Sequence, residues 1–183
     1  MMRNVIAALV AGLLIMVWQT ASHTFLNLHA VQEKYTPKHA GILKVLQDSL
    51  VEEGQFFLPG MPPGTSMEEM EKLGAASAGK PWAVISYHHS MDMSMTGNIL
   101  IGLACNILIA FLLVWLFSKM KSLSFGSIFI SCLIVGLIAF FTYPHPMHLW
   151  YKVPGIQIEL LDAVAAFGLA GIWLGWYLPR KKA

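Results

Sequence analysis

The chain has 183 residues, of which 56% are hydrophobic and 12% charged, about half the charged share of an ordinary soluble domain, and this excess of apolar residues excludes a water-soluble globule. The formal net charge is only +2, and the basic residues cluster at the ends of apolar runs, which excludes a nucleic-acid surface and makes them orientation signals. Cys105 and Cys132 both lie inside apolar runs with no C-x-x-C pair, which argues against thiol–disulfide chemistry and reads as small residues in helix packing.

Along the chain, Arg3 precedes an apolar run from Val5 to Trp18. Alone that run is short for a span and has the layout of a signal peptide, with Thr20-Ala21-Ser22 near a cleavage position. Extended through Phe25 and Leu26 it is long enough to cross a hydrocarbon core of about 30 Å, and residues 4–28 are read as transmembrane helix 1. Gln19, His23 and Asn27 fall at i, i+4 and i+8 and form one polar stripe. A lipid-facing stripe is expensive, so it faces other helices, either as interhelical hydrogen bonding or as a ligand or proton-relay site centred on His23.

Residues 30–94 are the longest polar segment and predict a small extracytoplasmic α+β insertion. Thr36-Pro37 has the form of a helix start, with an apolar face at Ile42, Leu43, Leu46 and Leu50 and a stop at Gly54. Ser66-Met67-Glu68-Glu69 is a capping box opening a second short helix. The stretch GQFFLPGMPPG between them predicts an aromatic strand running into a Pro/Gly loop, and Trp82–Tyr87 predicts a second strand. An insertion of this size has a marginal core and is expected to rest on the bundle or on a partner.

Residues 96–117 carry no charge, and at 1.5 Å per residue they form a helix roughly 33 Å long, transmembrane helix 2. Residues 123–141 are transmembrane helix 3, residues 142–155 an extracytoplasmic loop, residues 156–178 transmembrane helix 4, and residues 179–183 a basic cytoplasmic tail. The short turn after Phe117 predicts that helices 2 and 3 are antiparallel neighbours. Gly171 and Gly175 form a G-x-x-x-G with Gly168 one turn earlier, small residues that let a helix approach a neighbour in its own bundle or in a second copy. Trp173, Trp176 and Tyr177 predict an interfacial aromatic belt. Four spans place Arg3, Lys119, Lys121 and Arg180-Lys181-Lys182 on one side, with Lys152 alone in the opposite short loop. Both termini are therefore expected in the cytoplasm.

The fold class that emerges is a mainly α membrane protein, a four-transmembrane-helix bundle with a small α+β insertion between helices 1 and 2. In its order of elements, from the VWQTASH end of the first helix through EEGQFFLPGMPPG and Tyr87-His88 to three further spans, the chain resembles a family of uncharacterised four-span bacterial membrane proteins. EEGQFFLPGMPPG is the distinctive part. The resemblance implies the architecture and a bacterial inner-membrane location, and brings no activity, cofactor or site residue with it.

All seven histidines fall on the extracytoplasmic side of this topology or at its boundary. Two clusters stand out: His88, His89, Met91, Met93 and Met95 before helix 2, and His145, Met147 and His148 after helix 3. Thioether and imidazole together suit copper(I), and imidazole also suits copper(II) and zinc, so these eight residues are candidate metal ligands. The competing reading is interfacial structure, and haem ligation by two histidines is a further one. Glu159 and Asp162 lie in the first turns of helix 4, where the helix dipole favours carboxylates. Asp162 is the deeper, about 9 Å along the helix from Ile156, and is expected to meet His23, directly or through water.

Three functions remain open. The first is a non-enzymatic integral membrane protein that docks a protein partner or a second copy as an accessory subunit of an envelope complex. The second is copper or other metal handling at the His/Met clusters. The third is a haem- or quinone-linked redox or proton-relay protein using His23, Glu159 and Asp162. No phosphate loop, H-E-x-x-H or G-x-S-x-G is present, which favours the first.

Overall fold

The computed structural model describes residues 2–91 and 94–179. Its elements in order are α1 (Met2–Thr20), a π-helical turn (Ala21–Phe25), a 3-10 turn (Leu28–Val31), α2 (His39–Ser49), β1 (Gly54–Leu58), α3 (Met67–Ser77), β2 (Ala83–Tyr87), α4 (Met95–Phe117), α5 (Phe125–Thr142), α6 (Pro144–Tyr151) and α7 (Ile156–Tyr177). Four stretches are helical, long and apolar enough to cross a membrane: Met2–Phe25, Met95–Phe117, Phe125–Tyr151 and Ile156–Tyr177. The chain divides into two compact units, a bundle (Met1–Lys34 with Ser94–Ala183) and an inserted unit (Tyr35–Met93).

In the bundle the packing order is α4–α1–α7–α5. The reason is side-chain size. Ala7, Ala8, Ala11 and Gly12 of α1 are all buried, and a Cβ added at Gly12 would lie 2.7 Å from Ile107 Cα of α4. Small residues let backbones approach where dispersion is the main attraction between apolar helices. On its other side α1 receives Trp173 of α7, whose indole N–H donates to Ala7 O at 3.0 Å. Trp173 thus turns its N–H into the bundle and stacks on Tyr177, ring centres 4.8 Å apart, and Trp176 is half-exposed. Gly171 and Gly175 face α5, where an added Cβ would come within 3.0 Å of Cys132 Cβ and of Phe125, and Gly168 approaches Leu133 more loosely at 3.7 Å. Cys132 is buried at this seam and Cys105 is exposed on α4.

The expected pairing of helices 2 and 3 is corrected. Although only a short turn separates them, α4 and α5 make no extended contact, because each finds its small-residue partner elsewhere, α4 at Gly12 and α5 along α7. The expected loop at 142–155 is likewise replaced by α6, which opens at Pro144, a residue preorganised for the first helical turn.

Arg3 closes the far end of the bundle. Its guanidinium donates to the carbonyls of Tyr177 and Leu178 at 2.7 and 2.5 Å, satisfying C-terminal carbonyls of α7 and placing a cation at the negative end of its dipole. Arg3→Met is expected to lower stability by about 1–2 kcal/mol, measured by unfolding the detergent-solubilised protein. An equal loss in Arg3→Lys would show that the paired geometry matters more than the charge. Arg180, Lys181 and Lys182, counted above as orientation signals, lie outside the described residues.

The inserted unit pairs β1 with β2 antiparallel, Gly54 opposite Tyr87 and Leu58 opposite Ala83. α3 starts at the expected capping box: Ser66 Oγ accepts from Glu69 N, and Glu69 accepts from Ser66 N at 3.0 Å. The bond from Ser66 N, with a second that Ser66 Oγ donates to the same carboxylate oxygen at 2.8 Å, holds the Glu69 carboxyl below its ordinary pKa. The start of α2 differs from expectation. Thr36 Oγ accepts from Lys38 N in a local turn, so the helix opens at His39 and ends at Ser49 rather than running to Gly54.

Candidate functional site

The polar residues of α1 do not continue as one stripe. At Ala21–Phe25 the helix widens into a π-helical turn, and at Asn27 the backbone is left-handed, φ 48°, a conformation asparagine tolerates better than most residues. Gln19 therefore turns one way and the residues beyond it another. Gln19 Oε1 accepts from Asn106 Nδ2 of α4 at 2.6 Å, a satisfied interhelical bond at a buried asparagine. Asn27 serves as the point where the chain turns.

The wide turn brings a different set to Asp162 of α7. Its Oδ1 accepts from Trp18 Nε1 at 3.0 Å and from Ser22 Oγ at 2.7 Å, and its Oδ2 lies 2.8 Å from His29 Nε2. Ser22 is fully buried, and the His29 and Asp162 side chains are 13% and 15% exposed. The residue in direct contact with Asp162 is thus His29 and not His23, because the irregular turn returns His29 over the start of α7, while His23 stands one step back with a ring nitrogen within 4.8 Å of the carboxylate. His23 stacks on His29, rings 3.7 Å apart and within 14° of parallel, and donates from Nδ1 to Gln19 O at 3.0 Å.

Gln32 ties this set to the second carboxylate. Its amide N–H donates to Glu159 Oε1 at 2.6 Å, and its Oε1 accepts from His29 Nδ1 at 2.9 Å. Gly155, φ 83°, precedes α7, and a Cβ there would lie 2.7 Å from Gln32 Cγ. Only glycine gives both that backbone and that room. Burial disfavours the charged imidazole of His29, but the bond to Gln32 and the bond and charge of Asp162, with Glu159 behind it, outweigh burial and raise its pKa above the ordinary value.

No protein-family model, curated protein or solved structure matches this chain.

The two His/Met clusters have local partners. His88 and His89 belong to the inserted unit, His88 against Ser86 Oγ at 3.3 Å and His89 edge-on to Tyr87, while its backbone N–H donates to Glu53. Met91 is exposed, and Met93 lies outside the described residues. Met95 opens α4 and is exposed. On α6, His145 packs edge-on to Phe140, and His148 donates from Nδ1 to Val153 O at 2.8 Å. Met147 and His148 line a shallow apolar pocket with Tyr143, Val153 and Ile156, reaching Glu159 at its edge.

Trp18, Ser22, His29 and Gln32 are the site residues that sequence reasoning did not single out. Trp18 and Ser22 carried a signal, an i, i+4 pair of donors on one helix face. Gln32 carried none, since its place depends on the turn at Asn27.

Proposed function

We propose that this chain is a non-enzymatic, multi-pass protein of the bacterial inner membrane. In this reading both termini are cytoplasmic, the unit 35–93 is periplasmic, and the protein is an accessory subunit that engages a protein partner through that unit. The four apolar helices and the placement of Arg3, Lys119 and Lys121 support the topology. The observation that carries the reading is the apolar side of α2. Ile42, Leu43 and Val45 are 49%, 58% and 63% exposed, and Ile42, Val45 and Leu46 line a shallow groove with Lys38 and Gly41. Among the described residues of the inserted unit, Tyr87 is the one buried hydrophobic side chain. A unit with so little core has apolar surface to give to a partner.

A photocrosslinking residue placed at Ile42 or Val45 in cells is expected to give one discrete, stoichiometric protein adduct. The same probe at Lys44, on the polar side of α2 beside Asp48, is expected to give none, and Leu46→Asp is expected to abolish the adduct while the bundle stays folded. Crosslinks confined to lipid or to the chain itself would overturn the reading.

A further inference from the structure

We propose that His23, His29 and Asp162 form a binding site for one divalent cation of the zinc(II) class. Each offers one donor atom, and the three lie within 4.8 Å of one another. A zinc tetrahedron has ligand–ligand edges of about 3.3 Å for bonds of about 2.0 Å. Binding therefore needs the His29–Asp162 pair, 2.8 Å apart, to open slightly, and the exposed His23 ring to close in on it by turning about its bond to Gln19 O.

The second observation is how the ligands are held from behind. His23 and His29 each donate from Nδ1 to an oxygen, Gln19 O and Gln32 Oε1. That fixes both rings with Nδ1 protonated and leaves Nε2 as the ligand nitrogen. Asp162 Oδ1 is occupied by Trp18 and Ser22, which leaves Oδ2. Imidazoles oriented through the far nitrogen, and a carboxylate fixed through its second oxygen, make the outer shell that metal sites use. Gln32 is itself set by Glu159 and by the room Gly155 leaves.

The third observation is at His29 Nε2. With Nδ1 already donating to Gln32, Nε2 faces Asp162 Oδ2 at 2.8 Å, so two of the three ligand atoms already stand side by side. Two imidazoles and one carboxylate with no sulfur suit zinc(II) and disfavour copper(I), and three protein ligands leave a fourth position for solvent.

This inference goes beyond the docking reading and does not involve α2. The full chain, purified in detergent and stripped with chelator, is expected to take up one zinc per chain by equilibrium dialysis and elemental analysis. His23→Ala, which changes an exposed ring and leaves the Asp162 network in place, is expected to lose stoichiometric uptake at micromolar zinc while its circular dichroism is unchanged. Gln32→Ala is expected to weaken binding about 10- to 100-fold. A variant with His88, His89, His145 and His148 all changed to alanine is expected to bind as the wild type does. Uptake well below one zinc per chain in the wild type, undiminished uptake in folded His23→Ala, or loss confined to the fourfold variant would each overturn the site.

Discussion

Asp162→Ala is expected to destabilise the bundle by about 3 kcal/mol, the low end of the range for breaking a buried charged pair, because both side chains retain some exposure. The substitution strands three donors at once, the Trp18 indole, the Ser22 hydroxyl and His29. Asp162→Asn keeps the shape and one acceptor and is expected to lose roughly half as much. Trp18→Phe and Ser22→Ala should each cost about 1 kcal/mol alone and much less in the Asp162→Ala background, since they share one acceptor, Oδ1. Denaturant titration in mixed micelles measures all four, and simple additivity would show that the three bonds do not act together. The same variants report on pH. The His29 pKa is raised in the folded state, so its contribution is fully present below the unfolded value of about 6.5 and is lost as pH rises through the higher folded value. In chelator, wild-type stability is expected to fall as pH rises from the unfolded value through the raised folded one, and Asp162→Asn to flatten the slope.

The second large effect is expected at Gly12. Its added Cβ would meet Ile107 Cα, N and Cγ1 at 2.7–2.9 Å, and two of these are backbone atoms that no rotamer change can move. Gly12→Ala is expected to cost about 2 kcal/mol by pushing α1 from α4, and Gly12→Leu more than 3 kcal/mol or loss of folded protein, beyond the usual range for overpacking. Gly102 of α4 has nothing within 4 Å of its added Cβ. Gly102→Ala should therefore be neutral or stabilise by up to about 1 kcal/mol. If the two alanine variants behaved alike, the close approach of α1 and α4 would not contribute to stability.

Apolar length made the four long helices legible, and the Ser66 capping box and the two aromatic strands were legible from local chemistry alone. The packing order was not. The most apolar run, α4, looks like the organiser of the chain, yet in lipid apolarity alone favours no particular neighbour, and the small-residue face of α1 takes the centre. Asp162 stood out because a carboxylate so far into an apolar helix needs a partner. The direct partner was misassigned, because a helical period carried through residues 19–27 extends the α-helix across a π-helical turn and a left-handed asparagine. Those irregularities put His29, not His23, against the carboxylate, and nothing in local composition announces them.

One consequence concerns the order in which the protein is made. Trp18 and Ser22 lie in the first helix, and their acceptor is more than a hundred residues later in the last one. A nascent chain therefore carries the Trp18 indole, the Ser22 hydroxyl and His29 Nε2 without their carboxylate until α7 arrives. Any product ending before residue 156 lacks that acceptor, so the carboxylate of the final helix chemically marks a finished molecule off from a truncated one.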